Sequence, residues 1–192
     1  LNAMLEWEED SSSSNPLYAR RTNSFALEYR GSFANGLDLQ LGVRRDNNSA
    51  FEDATSWTAS ASYTFAGSGI RLHGSAGTGV VNPSYFELFA NVTYGTTTYL
   101  GNPNLKPEEN RSFDIGVEVP FLQGRGLVDV TYFDETLTGE IENYVVNPTT
   151  RSYRNQAGDS DRKGVELAAS LDATDTLNLR LTYTYLDASN PD

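Results

Sequence analysis

The sequence predicts an all-β chain folded as an antiparallel, up-and-down sheet of about nine strands. Three observations carry this reading. Apolar and polar residues alternate with a period of two in one segment after another. No helical period of comparable length competes with it. Tight turns alternate with long connections, which is the rhythm of hairpins stacked side by side.

Residues 1–9 open the sheet and lead into the connection Asp10–Arg21, which holds Ser11-Ser12-Ser13-Ser14-Asn15-Pro16. In 22–33, Phe25, Leu27 and Tyr29 alternate with Ser24, Ala26, Glu28 and Arg30. The turn Ala34-Asn35-Gly36 then reverses the chain into 37–45, where Leu37, Leu39, Leu41 and Val43 alternate with Asp38, Gln40, Gly42 and Arg44. After Asp46–Ala54, the strand 55–66 places Trp57, Ala59, Ala61, Tyr63 and Phe65 on one face and serines and threonines on the other. Gly67-Ser68-Gly69 is a second tight turn, into 70–80. The connection Val81–Glu109 is very long, and its one helical candidate, Ser84 to Phe89, is a single turn. Strand 110–120 alternates Phe113, Ile115, Val117 and Val119 with Ser112, Asp114, Gly116 and Glu118. Phe121–Arg125 is short, and Val146–Thr150 joins two long strands, 126–145 and 151–171. Asp172–Thr176 is short again. In 177–187, Leu177, Leu179, Leu181, Tyr183 and Tyr185 alternate with polar partners. Because successive side chains point to opposite faces, every segment has one apolar and one polar face.

Such strands suit either a soluble β-sandwich, of the adhesin or lectin kind, or the wall of a membrane barrel. Three features favour the barrel. A ten-residue strand spans about 33 Å and, tilted by about 40°, rises about 25 Å, the height of an outer-membrane apolar band. The polar faces carry Arg30, Arg44, Arg71, His73, Asp114, Glu118, Asp129, Glu166 and Arg180 in mid-strand, as a wet or plugged lumen would. Aromatic residues gather near strand ends, among them Trp7, Phe25, Trp57, Phe65 and Tyr185, where interfacial girdles lie. No run of about 18 apolar residues predicts a membrane helix, and no signal-peptide pattern opens the chain. There is no Cys, so thiolate metal sites and Cys nucleophiles are excluded. With 14 Lys and Arg against 26 Asp and Glu, the net charge is −12, which disfavours nucleic acid as a partner.

The long loop carries Gly77-Thr78-Gly79-Val80-Val81-Asn82-Pro83-Ser84-Tyr85-Phe86-Glu87-Leu88-Phe89, then Gly101-Asn102-Pro103-Asn104-Leu105-Lys106-Pro107-Glu108-Glu109. About fifty residues on come Asn155-Gln156-Ala157 and Lys163-Gly164-Val165-Glu166-Leu167. This series resembles the C-terminal barrel half of TonB-dependent outer-membrane receptors, in the order and at the spacing of the family's landmarks. The cobalamin and catecholate-siderophore receptors look nearest. The resemblance covers essentially the whole chain and implies an antiparallel up-and-down transmembrane β-barrel segment, about nine strands of a barrel of about 22. It further implies a Gram-negative outer-membrane location, an N-terminal plug domain, and a segment pulled by TonB. Neither plug nor coupling segment is in this sequence, so residues 1–192 read as a partial barrel domain. The implied partners are outer-membrane lipid and lipopolysaccharide, TonB, the plug, and a scarce small-molecule metal chelate, an iron-siderophore or cobalamin. No cofactor and no covalent chemistry are implied.

Within this frame Arg44, Arg71, His73, Asp114, Glu118 and Arg180 are expected to face the lumen. Pro103 and Pro107 fix φ and remove amide donors, and Asn102 and Lys106 before them are pushed towards extended backbone. Gly101, Asn102, Pro103, Leu105, Lys106, Pro107 and Glu108 are therefore expected to brace the loop rather than to touch ligand. Gly164 is expected to serve a close backbone approach or a bulge. Tyr85, Phe86, Phe89, Tyr94 and Tyr99 crowd the loop. Packed together they would hold the loop, which is the favoured reading, and exposed they could stack on an aromatic or macrocyclic ligand; Tyr94 and Tyr99, flanking Gly95-Thr96-Thr97-Thr98, are the best candidates for ligand contact among them. His73 has no accompanying nucleophile motif, so an outer-membrane hydrolase is the weaker alternative and no catalytic residue is assigned. Asp159-Ser160-Asp161 lacks the spaced ligands of an EF-hand, and no metal site is assigned. Acidic pairs near loop ends, such as Glu8-Glu9-Asp10 and Glu52-Asp53, suit divalent cations beside lipopolysaccharide.

Overall fold

The computed structural model describes residues 1–11 and 19–191, so most of the serine-rich connection after Asp10 lies outside the described residues. Nine strands form one antiparallel sheet: β1 (Asn2–Ser11), β2 (Ala19–Ser32), β3 (Leu37–Asn48), β4 (Ala54–Thr64), β5 (Arg71–Val81), β8 (Glu108–Phe121), β9 (Gly126–Thr138), β12 (Asp159–Thr174) and β13 (Leu177–Ser189). Each pairs with its neighbours in sequence order, apart from two excursions. The first, between β5 and β8, contains helix α1 (Tyr85–Phe89) and the hairpin β6 (Asn91–Tyr94) and β7 (Thr97–Leu100). The second, between β9 and β12, contains β10 (Ile141–Asn147) and β11 (Thr150–Asn155). These four short strands form a second sheet in the order β10-β11-β7-β6, in which β11 and β7 run parallel.

The register turns the period-two pattern into two faces. One row runs Leu39, Ala61, Gly74, Ile115, Tyr132, Val165, Tyr185 across seven strands without a charged side chain, its only polar atoms being the two tyrosine hydroxyls. The next row runs Asp38, Ser62, His73, Gly116, Thr131, Glu166, Thr184 without an apolar one. A slip of one residue would exchange the faces, so the pattern itself fixes the register. The apolar face is bare. Ile115 is 62% exposed and Tyr185 58%. Among the described residues, the buried hydrophobic ones are Leu88, Ala90 and Leu105, all in the excursion between β5 and β8 and none in the sheet. A soluble sandwich would bury this face against a second sheet. Here no such layer covers it among the described residues.

Nine strands stand where the sequence places nine, but two boundaries differ. The predicted strand 126–145 is β9 followed by β10, broken at Gly139, whose φ is +69. The predicted strand 151–171 is β11 followed by β12, broken at Gly158, whose φ is +96. Both glycines adopt left-handed backbone that a β-branched or bulky residue resists. At the turn end, Leu122, Gln123 and Gly124 all have positive φ. The turn is held from outside: the Arg125 guanidinium donates to the carbonyls of Asp172 (2.7 Å) and Ala173 (2.7 Å), locking it to the β12–β13 turn.

Gly164 in β12 shows why the sheet needs glycine in mid-strand. A Cβ there would collide with the Tyr185 carbonyl oxygen and approach Cζ of Phe133 to 2.8 Å. The Phe133 ring thus lies across the glycine on the polar face. Gly164→Ala is expected to cost about 1–3 kcal/mol of barrel stability, as overpacking does, read as a lowered melting temperature of the full receptor in detergent.

Candidate functional site

Helix α1 begins at a complete capping box. The Glu87 N–H donates to Ser84 Oγ (3.3 Å) and the Ser84 N–H donates to Glu87 Oε2 (2.7 Å). Such a box satisfies two of the donors orphaned at a helix start, which lets a five-residue helix stand in a loop. The helix buries Leu88 and exposes Phe86. Its base is tied to the main sheet. The Tyr85 hydroxyl donates to the Asp10 carbonyl (3.0 Å), and Arg20 lies over the Tyr85 ring at 4.8 Å while pairing with Asp10 (2.9 Å). Burial pushes the Tyr85 phenol above its ordinary pKa, with the Arg20 guanidinium opposing. Burial does the same for Tyr153. Both remain neutral at pH 7.

The stretch Gly101–Glu108 threads between helix and cap sheet. The Gly101 N–H donates to the Ala90 carbonyl (2.7 Å) and the Asn102 N–H to the Glu87 carbonyl (2.7 Å). A Cβ on Gly101 would strike the backbone of Leu88, Phe89 and Ala90, so only glycine fits. The Asn102 amide donates to the Tyr153 carbonyl (2.9 Å). Leu105 is 5% exposed, and Pro103 lines a small cavity with Tyr85, Leu88 and Phe89. Glu108 accepts the Ile141 N–H at 2.6 Å.

Lys106 is held through its backbone on both sides by one side chain. Asn155 accepts the Lys106 N–H (2.8 Å) and donates to the Lys106 carbonyl (2.9 Å) and the Gly139 carbonyl (2.8 Å). Pro107 follows directly. Asn155 thereby joins the Gly101–Glu108 stretch to the point where β9 breaks. Its pairing with Lys106 could be foreseen only from their co-occurrence in the resembling motifs, because nothing local links residues 49 positions apart.

The aromatic side chains of the cap form a connected run. Tyr94 and Tyr99 meet edge-on at 6.0 Å, Tyr99 and Phe86 lie 6.2 Å apart, and Phe86 meets Tyr153 edge-on at 6.1 Å. The run passes from Tyr94, 63% exposed at the cap-sheet edge, to partly buried Tyr153. Edge-to-face contacts at these separations are the favourable ones. Tyr94 and Tyr99 are brought together, and Phe86 and Tyr153 join them. Tyr153 carries no sequence signal, lying in a segment read as the interior of a long strand.

On the polar face of the main sheet, charged side chains bridge neighbouring strands. Arg44 pairs with Glu6 (2.9 Å) and Asp46 (2.8 Å) and donates to Ser24 (2.8 Å), joining β1, β2 and β3. Arg71 lies 3.9 Å from Glu118. The Ser75 hydroxyl donates to Asp114. His73 reaches across β8 to Asp129 at 2.8 Å, and Thr131 donates to the same carboxylate at 2.8 Å. Gly116 makes that span possible, because a Cβ there would occupy the space of the imidazole and of Thr131 Oγ1. Arg180, on β13, donates to Asn178 at 3.2 Å. A cavity of about 380 Å³ opens on this face beside Arg71, His73, Ser75 and Asp114. Among the described residues, the hydrogen-bond partner of His73 is Asp129, and no serine hydroxyl is bonded to it. Asp159 and Asp161 accept the hydroxyls of Thr138 (2.8 Å) and Thr136 (3.0 Å).

A single sheet with one bare apolar face, one charged face and long loops folded into a cap at one end is the wall of an outer-membrane β-barrel. The chain matches the family described as TonB dependent receptor-like, beta-barrel, over residues 5–192, and it belongs to that family. It is similar to the vitamin B12 transporter BtuB of Photobacterium profundum, 28% identical over 203 residues covering 99% of this chain and 30% of that protein. Among solved structures it superposes on the siderophore receptor PirA of Pseudomonas aeruginosa with a TM-score of 0.80 at 20% identity, covering 97% of this chain and 36% of that one. It also superposes on the hemophore receptor HasR of Serratia marcescens with a TM-score of 0.76 at 19% identity, covering 90% and 34%. The chain thus spans about a third of the length of these relatives. Barrels of this family sit in the Gram-negative outer membrane, which is the solvent that the bare face requires.

Proposed function

We propose that the intact protein is an active-transport receptor that captures a scarce chelate, an iron-siderophore or cobalamin, and is energised through TonB. The observation that supports this best is the family match together with the aromatic run on the loop cap, which is exposed at Tyr94 and Phe86. In this reading, residues 1–192 are part of the barrel domain, and a plug domain occupies the lumen against the face that bears Arg44, Arg71, His73, Asp114, Glu118 and Arg180. Tyr94 and Tyr99 offer flat, polarisable surface to an aromatic or macrocyclic ligand. The reading involves binding and displacement and no bond-making. It agrees with the relatives, among them a vitamin B12 transporter and a siderophore receptor.

The test is uptake of radiolabelled ferric catecholate, ferric hydroxamate and cobalamin by cells carrying the full receptor, with and without a functional TonB. Uptake of one of them that vanishes without TonB is expected. Replacing Tyr94 and Tyr99 together with Ala should weaken binding of that ligand about 5- to 150-fold, from about 0.5–1.5 kcal/mol per ring. Uptake indifferent to TonB would defeat the transport reading, and unchanged affinity would remove the two tyrosines.

A further inference from the structure

The main sheet consists of two panels, β1–β4 and the strands from β5 onward, which meet along a weak seam. The β4–β5 ladder joins seven residue pairs, Thr58↔Gly77 to Thr64↔Arg71, where every other ladder of this sheet joins ten or more. It ends at Thr58↔Gly77 although β4 extends back to Ala54 and β5 on to Val81. Above that point β4 stays with β3, up to Asp46↔Ala54, and β5 stays with β8, up to Val81↔Glu108. The panels are therefore already splayed at the loop end.

Side chains do little to hold the seam. Its upper four pairs are Thr58↔Gly77, Ala59↔Ala76, Ser60↔Ser75 and Ala61↔Gly74. Larger cross-strand pairs stabilise a sheet relative to Ala–Ala, and glycine weakens a strand interior, so this stretch relies on main-chain bonds alone. Among the described residues no side chain of β4 bonds to a side chain of β5. The link beyond the ladder is the Trp57 N–H, which donates to Thr78 Oγ1 (3.3 Å). Every other seam of the sheet carries a side-chain hydrogen bond or ion pair, such as Ser75 to Asp114 across β5–β8 and Arg45 to Thr55 (2.9 Å) across β3–β4. Lower down, Tyr63↔Leu72 restores a bulky pair.

The cap spans the seam from above. β5 runs through Pro83 into α1, and the base of α1 is tied to the other panel. Arg20 of β2 donates to the Pro83 carbonyl (3.3 Å), and the Tyr85 hydroxyl donates to the Asp10 carbonyl of β1 (3.0 Å).

We propose that the upper β4–β5 seam is a gate in the barrel wall, latched by the contacts of Arg20 and Tyr85 across it. When the latch releases α1, the panels part from Thr58↔Gly77 downward and the mouth of the barrel widens. The parting stops at Ala61↔Gly74, which lies in the row of Ile115, because unpaired backbone inside hydrocarbon is costly. Tyr63↔Leu72 below it is the pivot. The weakness of the seam stands on the ladder alone. Its role, passing captured ligand from the cap into the lumen, rests on the transport reading.

The first test is amide hydrogen exchange of the full receptor in nanodiscs. Amides that donate across β4–β5 at 58–60 and 75–77 are expected to exchange about tenfold or more faster than those across β8–β9 at the same level, 112–114 and 133–135. Tyr85→Phe removes one latch bond and should speed the seam amides a further fivefold or so, about 1 kcal/mol of bond. Equal exchange in the two ladders overturns the gate, and exchange indifferent to Tyr85→Phe overturns the latch. The second test staples the seam. The chain has no Cys, and Ala59 and Ala76 are directly paired, within the separation a disulfide spans. In the full receptor with Ala59→Cys and Ala76→Cys, oxidation is expected to lower TonB-dependent uptake about tenfold while ligand binding changes less than about twofold, and reduction should restore uptake. A staple at Val130 and Leu167, paired across β9–β12, should leave uptake unchanged. Full uptake by the oxidised β4–β5 variant overturns the gate's role. Absence of TonB-dependent uptake in wild type overturns the transport reading and the role with it, and leaves the seam to be decided by exchange.

Discussion

Replacing Ile115 with Arg is expected to lower the stability of the receptor in bilayers by about 2–4 kcal/mol, the cost of a cation facing lipid near the midplane of an outer-membrane barrel. Ile115 lies in mid-β8, 62% exposed, in the row that carries no charged side chain from Leu39 to Tyr185. In water an exposed Ile→Arg change costs almost nothing, usually within about 0.5 kcal/mol. The sign and size of the effect therefore report which solvent this face meets. Thr184→Arg is the control, since Thr184 lies in the polar row on β13 and its substitution should change stability by less than about 1 kcal/mol. The measurement is equilibrium unfolding by guanidinium of both variants in phosphatidylcholine vesicles. Equal costs on the two faces would mean that neither meets hydrocarbon.

The same two rows explain what could be read from the sequence. Within each main strand, burial requirements differ between the faces, so alternation survives as a local signal, and the nine strands and their tight turns follow from it. The cap is different. Its strands are short, β6 and β7 spanning four residues each. Their partners are set by contacts across large separations, such as Thr150↔Thr98. Nothing in Val81–Glu109 or in the middle of 126–171 carries two-residue alternation strong enough to announce a second sheet. The glycines that divide the predicted long strands, Gly139 and Gly158, mark the places where one alternating run becomes two. Around Gly139, Leu137 and Ile141 keep the spacing of two, so the pattern runs across that break, whereas Asn155 to Lys163 around Gly158 carry no apolar alternation at all.

The charged face shows the same limit. Alternation places His73, Asp114 and Asp129 on one face, but the bridge from His73 over β8 to Asp129 depends on the side chain that Gly116 lacks. A single missing Cβ decides a contact two strands wide. The landmark residues are likewise explained by contact: Gly101 by the backbone pressed against it, Gly164 by Phe133 and the Tyr185 carbonyl.

Asn155 is where such a contact should have its largest functional effect. Its carboxamide accepts from the Lys106 N–H and donates to two carbonyls, those of Lys106 and Gly139. Each bond contributes about 1 kcal/mol net, so Asn155→Ala is expected to destabilise the cap by about 2–3 kcal/mol. The loss should be local. Main-sheet ladders do not involve this side chain, so the barrel's melting temperature should change little. The Lys106 amide should exchange its hydrogen about 30- to 150-fold faster if opening follows that free energy. Asn155→Asp is the sharper variant. It keeps the shape and the acceptor for the Lys106 N–H, but it turns a carboxylate oxygen towards two carbonyl oxygens that need a donor. If the brace is a matter of donor chemistry, Asp should loosen the cap at least as much as Ala, despite being isosteric. If Asp instead preserves slow exchange at Lys106 while Ala does not, only the shape of the side chain holds the loop.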